Sequence, residues 1–163
     1  MKHKYKKPFH LIIEGADKSG KSTVCALLSK KLRVPIIRMV DAPKFFKKRN
    51  IEEASEIFNK TIAQFKDFSW LVDRGYPSSL VYSKHFKRRY DFGYIEEIKK
   101  ALKPVIVILD SPPHSVDDTI KLKDRNIIRD LYYDLAIDNG WEIIHCGDLT
   151  PKQICKQITD ILS

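Results

Sequence analysis

Eight consecutive residues carry the most readable chemistry in this chain. Gly15-Ala16-Asp17-Lys18-Ser19-Gly20-Lys21-Ser22 reads G-x-x-x-x-G-K-[ST], the pattern of a phosphate-binding loop, and Thr23 follows it. Gly15 and Gly20 let backbone N–H groups turn inward around a phosphate. A helix opening at Gly20 points the positive end of its dipole at the same place. Lys21 supplies a mobile charge for β- and γ-phosphates, and the Ser22 hydroxyl suits Mg²⁺. Gly15, Ser19, Gly20, Lys21, Ser22 and Thr23 are therefore the expected ATP-binding set. The pattern specifies a nucleoside triphosphate and leaves the phosphoryl acceptor open.

Such a loop needs an acid at a nearby strand end to complete the Mg²⁺ shell. Asp73 follows Trp70-Leu71-Val72, and Asp110 follows Val107-Ile108-Leu109. Asp73 is followed at once by Arg74. An acid beside a base at a strand's carboxyl end suits phosphate handling, with Asp73 toward the metal and Arg74 toward an acceptor phosphate.

These residues need a sheet to hold them. Apolar runs over 8–14, 34–39, 69–72, 104–109 and 141–145 predict five strands. Helical patterns cover 21–32, 51–65, 78–100 with an interruption near Gly93, 123–136 and 151–162. Strands separated by helices imply crossover connections and a mostly parallel sheet. The runs lack alternation, as expected of strands covered on both faces. Ligands in such sheets sit at the carboxyl ends of the strands.

Bulk properties narrow the field. The 163 residues suggest a single domain, with no linker or internal repeat. Hydrophobic residues at 43% exclude a disordered tail. No run reaches the roughly 18 apolar residues of a membrane span, and no apolar stretch of signal-peptide length follows the basic 1–7 segment. A cytoplasmic protein with no membrane partner is the expectation. Cys25, Cys146 and Cys155 are scattered, which argues against disulfides and a structural zinc site. Thirty basic against twenty-one acidic residues give a net charge of +9, which fits an anionic partner.

The motifs together resemble the thymidylate kinases. Residues 12–23 resemble that family's opening. Asp73-Arg74-Gly75-Tyr76-Pro77-Ser78-Ser79-Leu80-Val81-Tyr82 resembles its D-R-Y-x-x-S-x-x-A-Y segment, with Gly75 and Val81 departing from it. Residues 107–113 resemble its L-D-x-P-P strand end, and 128–162 its final helix–strand–helix. The resemblance covers somewhat over half the chain. It implies a P-loop NTPase fold of three α/β/α layers, with a five-stranded parallel sheet in order 2-3-1-4-5. That order puts Asp73 beside the loop and favours it over Asp110. The resemblance further implies that Asp17 bonds the acceptor's sugar hydroxyl, Arg74 its phosphate, and that Ser78 and Tyr82 line its pocket. Lys18 would be a cation within the loop that stabilises the transferring phosphoryl group, consistent with the short lid segment 111–123. Lys121, Lys123, Arg125 and Arg129 are the lid-side cations; a solvated helix face explains them equally well. A homodimer is the family's usual assembly.

The chain also departs from that family. It is shorter in the middle and the lid, and Val40-Asp41-Ala42-Pro43 replaces the R-E-P-G-G loop. Phe45 and Arg49 have the family's spacing for stacking and holding the acceptor base. A basic surface loop with an apolar anchor accounts for them too. Two basic–aromatic clusters, 44–49 and 84–90, also suit a nucleic-acid backbone. The expected activity is ATP- and Mg²⁺-dependent phosphorylation of a deoxynucleoside monophosphate. The rivals are a kinase acting on nucleic acid or a nucleoside hydroxyl, and a non-catalytic nucleotide-binding regulator. A loop around 147–151 is the expected adenine site.

Overall fold

A computed structural model describes residues 7–38, 51–112 and 122–163. Phe45, Arg49, the 40–43 replacement, the 44–49 cluster, Lys121 and most of the lid lie outside them. The five strands are β1 (His10–Glu14), β2 (Ile36–Arg38), β3 (Trp70–Asp73), β4 (Val105–Asp110) and β5 (Glu142–His145). All pair in parallel, in the expected order β2-β3-β1-β4-β5. Six helices are described: α1 (Lys21–Leu32), α2 (Ile51–Ala63), α3 (Tyr76–His85), α4 (Tyr94–Leu102), α5 (Leu122–Asn139) and α6 (Pro151–Ile161).

The period-two geometry of each strand divides the core into two. Leu11 and Ile13 of β1, Leu71 of β3, and Val107 and Leu109 of β4 face one layer, packing with Val24 and Leu28 of α1 and Ile154 and Ile158 of α6. Ile12, Trp70, Val72, Ile106 and Ile108 face the other, against α2 to α5. The three inner strands, β3, β1 and β4, are buried on both faces, so most of their positions favour an apolar residue, while the edge strands β2 and β5 are partly exposed.

One expected helix divides. The segment 78–100 forms α3 and α4, separated by eight non-helical residues, 86–93. Lys87 adopts a left-handed backbone (φ 54°), and Arg88 N–H reaches back to the Ser83 carbonyl at 2.8 Å. This pairing closes the end of α3. The Asp91 carboxylate accepts from Gly93 N–H at 2.8 Å just before α4 begins. Apolar side chains continue across the gap, where Tyr90, Phe92 and Tyr94 pack in succession.

The last helix, α6, opens on a capping box. The Thr150 hydroxyl accepts from Gln153 N–H at 3.3 Å, and the Gln153 amide oxygen accepts from Thr150 N–H at 2.8 Å. Pro151 takes the first helical turn, where its missing N–H costs nothing. Among the described residues, no helix is long and apolar enough to cross a membrane. Thr150→Ala should cost about 1 kcal/mol of stability. Denaturant unfolding of the two proteins checks this; an unchanged midpoint would deny the cap its role.

Candidate functional site

β1 delivers the chain to the loop and α1 takes it away. Gly15 sits at φ 141°, and a Cβ there would lie 2.6 Å from the Leu109 carbonyl oxygen. Only glycine lets the loop pass this close to β4. Gly20 (φ 84°) caps α1 without a side chain, so no cap competes for the helix's first N–H groups. Lys21 is buried and folds back over the loop. Its ammonium donates to the carbonyls of Gly15 (2.9 Å) and Ala16 (2.6 Å) and to Ser19 Oγ (3.1 Å). Burial, helped by the nearby Arg74 charge, pushes the Lys21 pKa down to about 8, against the pull of Glu14, Asp17 and Asp73. Lys18 (φ 59°) is exposed and, with Ser22 and Thr23, lines a cleft of about 570 Å³.

β3 sets the acid beside this loop. Asp73 pairs in register with Ile13 on one side and Arg38 on the other. The Ser22 hydroxyl donates to Asp73 Oδ2 at 2.9 Å, and Arg38 Nε lies 3.2 Å from the same oxygen. Arg38 is a site residue that the motifs did not reveal. Its signal was its place at the carboxyl end of a strand. Asp110 is engaged elsewhere: Arg129 and His145 (2.8 Å) both bind its carboxylate. Arg129, then His145, hold its carboxyl below the usual carboxylate range against the effect of burial.

Arg74 turns the chain out of β3 through a left-handed backbone (φ 70°), with its N–H bonded to the Ile13 carbonyl at 3.1 Å. Its guanidinium pairs with Asp17 and donates to Tyr82 Oη at 3.2 Å. Tyr82 Oη donates in turn to Asp17 Oδ2 at 3.1 Å, and the guanidinium lies 5.5 Å from the Tyr82 ring centre. The structure brings Asp17, Arg74 and Tyr82, all expected around an acceptor, together in a closed polar triad. A second cavity of about 260 Å³ adjoins the triad and shares Asp17, Ser55, Arg74 and Ser78 with the first.

Beneath the triad is Glu14, fully buried and given no role by the motif of which it is part. It accepts from Gly75 N–H (2.6 Å), Ser78 N–H (3.3 Å), Ser78 Oγ (2.7 Å) and Tyr132 Oη (3.1 Å). Burial raises its pKa; the Ser78 bond, Arg74, the Gly75 N–H and Lys21 oppose the rise. Ser78 thus lines the cavity while its hydroxyl is held from behind. Gly75 leaves room for Ile12, whose Cγ2 would lie 3.1 Å from any Cβ.

The remaining expected residues are dispersed. Arg125 is buried, with 1% of its surface exposed, Arg129 is half-buried and paired with Asp110, and Lys123 is exposed. In the 84–90 cluster, Arg88 pairs with Glu52 at 3.0 Å and Tyr90 with Glu56 at 2.5 Å. The 147–151 turn lies beyond β5, at the far edge of the sheet from β2. A larger groove of about 780 Å³, lined by Phe9, Phe65, Phe68 and Trp70, opens at the amino ends of β1 and β3, away from the loop.

Lys21 makes stability depend on pH in a defined direction. Its lowered pKa disfavours the folded state while the ammonium is charged. Its contribution is complete above the ordinary lysine pKa and is lost as pH falls through about 8. Wild type should therefore gain melting temperature relative to Lys21→Met as pH rises from about 8 toward 10. Parallel melting curves that keep a constant offset would contradict the burial argument.

No family model matches the chain. The SPbeta prophage-derived uncharacterized protein YorR of Bacillus subtilis is 33% identical over 166 residues, spanning 91% of this chain and 95% of YorR. The crystal structure of YorR in complex with phosphorylated GDP superposes with a TM-score of 0.73, at 28% identity, over 93% of this chain and 94% of that one. Thymidylate kinase from Candida albicans shares the fold (TM-score 0.68, 16% identity, 96% of this chain and 91% of that one). So does deoxyadenosine kinase from M. mycoides (TM-score 0.63, 15% identity, 94% and 98%). Sheet order, loop geometry and these likenesses agree: the chain belongs to the family of YorR and has the P-loop nucleoside monophosphate kinase-like fold.

Proposed function

We propose that this chain transfers the γ-phosphoryl group of ATP to the phosphate of a deoxynucleoside monophosphate. The observation that carries the reading is the Asp17–Arg74–Tyr82 triad, which stands between the loop's cleft and a second cavity of its own. A phosphoryl transferase with a nucleotide acceptor needs two anion-binding sites meeting at one point. YorR, solved with phosphorylated GDP, supports a nucleotide ligand in this family.

In this reading ATP lies along 15–23, with its β- and γ-phosphates on the loop N–H groups. Lys21 leaves the Gly15 and Ala16 carbonyls for the phosphates. Ser22 and Asp73 offer hydroxyl and carboxylate oxygens side by side, a donor pair that fits Mg²⁺ completed by phosphate and water oxygens. They would hold that ion, which neutralises phosphate charge when bound. Lys18 faces the equatorial oxygens of the transferring group.

The acceptor exchanges its phosphate for Asp17 on the Arg74 guanidinium. Asp17, released from that pair, takes the sugar 3′-hydroxyl; Tyr82 and Ser78 wall the pocket. An acceptor phosphate oxygen attacks the γ-phosphorus in line, a new P–O bond forms, and the bond to ADP breaks. The attacking phosphate is already anionic, so no general base is needed. Arg38 keeps Asp73 aligned with the Ser22 hydroxyl.

The test is acceptor-dependent ADP formation from Mg·ATP across deoxynucleoside and ribonucleoside monophosphates, with nucleosides and single-stranded DNA in parallel. Turnover with one or a few monophosphates is expected; turnover only with DNA or nucleosides would overturn the reading. Arg74→Ala should raise the acceptor KM at least about tenfold, while ATP affinity changes little. An equal loss for both substrates would place Arg74 in the fold rather than in the acceptor site.

A further inference from the structure

The second cavity has two chemically different ends, and only one is explained by phosphate and sugar. It runs along α3, with Asp17 and Arg74 where that helix begins and Ser83 and Arg88 where it finishes. Ser83 lies about 7.5 Å farther along the helix than Ser78, by the rise per residue. A monophosphate anchored at Arg74 would therefore carry its base toward the Ser83 end.

That end holds an ion pair between a buried carboxylate, Glu52, and an exposed guanidinium, Arg88. Glu52, in the first turn of α2, is 6% exposed. Its Oε1 accepts from Ser83 Oγ at 3.1 Å and from Arg88 Nη1 at 3.0 Å. Among the described residues, Glu52 Oε2 has no hydrogen-bond partner. Arg88 spends one N–H on Glu52, lies 4.8 Å from the Phe86 ring centre, and keeps further donors at the cavity wall. One turn nearer the triad, the Ser55 and Ser79 hydroxyls bond each other.

We propose that Glu52 and Arg88 read the base of the acceptor, and that the base they select is guanine. The inference rests on the monophosphate kinase reading for the orientation of the ligand. A carboxylate only accepts hydrogen bonds and a guanidinium only donates them. With Oε1 held by Ser83 and Arg88, Oε2 is left to accept from two adjacent donors of a base edge, and the remaining Arg88 N–H groups to donate to an acceptor beside them. Guanine presents N2–H and N1–H beside O6. Adenine and cytosine would turn a ring-nitrogen lone pair toward the carboxylate. Thymine has one N–H flanked by two carbonyls, so one carbonyl would face Glu52. A buried carboxylate left against such an edge is penalised, which makes the pair selective.

Calorimetric titration of the full chain with dGMP, dIMP, dAMP, dCMP and dTMP tests this without relying on turnover. dGMP should bind at least about tenfold tighter than dAMP, dCMP or dTMP. dIMP, which lacks the 2-amino group, should fall between. Glu52→Gln, checked for an unchanged melting transition, should erase the preference for dGMP while leaving dTMP binding in place. The wild-type series decides the matter if that variant does not fold. Equal binding of dGMP and dTMP, or a preference that survives Glu52→Gln, would overturn the assignment. Selective dGMP binding without phosphoryl transfer would keep the base assignment and remove the kinase reading. Transfer to dTMP with no preference for dGMP would do the reverse.

Discussion

Glu14 is the point on which the two halves of the cleft depend. Its carboxylate ends β1, immediately before the phosphate loop, and is shut off from solvent. From there it gathers Gly75, Ser78 and Tyr132, which belong to the turn after β3, to α3 and to α5. A buried carboxylate costs several kcal/mol unless hydrogen-bonded, so this cluster has little freedom to drift. Each shift of Arg74 relative to the loop would break bonds to Glu14. The distance between the two ligand sites is thereby set by one side chain that touches neither cleft in the motif reading.

The second constraint is charge held in reserve. Arg74 is paired with Asp17, Lys21 with loop carbonyls, and Arg38 with Asp73. In the proposed reading, phosphates entering the cleft take Lys21 and Arg74 over from these partners while Arg38 stays on Asp73, so the site is organised before ligand arrives. Such preorganisation is the main source of rate in phosphoryl transfer, where the protein does little covalent chemistry.

Much of this was legible in the sequence, for physical reasons. Gly15 to Ser22 is local, and its backbone demands leave few residue choices. Asp73 and Arg74 were found because a strand end places consecutive polar residues at the ligand edge. Glu14, Arg38 and Glu52 were not legible. Glu14 follows an apolar run and resembles a strand's last polar residue; its partners lie 61 to 118 positions away. Glu52 and Arg88 meet only because α2 and α3 pack together. The division of 78–100 was understated for a similar reason. Its aromatic side chains pack on through the gap, so the apolar pattern continues where the backbone helix does not.

In the proposed reading, two nucleotide sites meet between Lys21 and Arg74. The most direct test uses a bisubstrate compound, adenosine and a deoxynucleoside joined through a polyphosphate bridge. It should bind more tightly than ATP or the monophosphate alone and displace both, because one ligand then gains both sets of contacts without a second loss of freedom. Displacement of ATP alone, with the monophosphate still bound, would contradict the shared geometry.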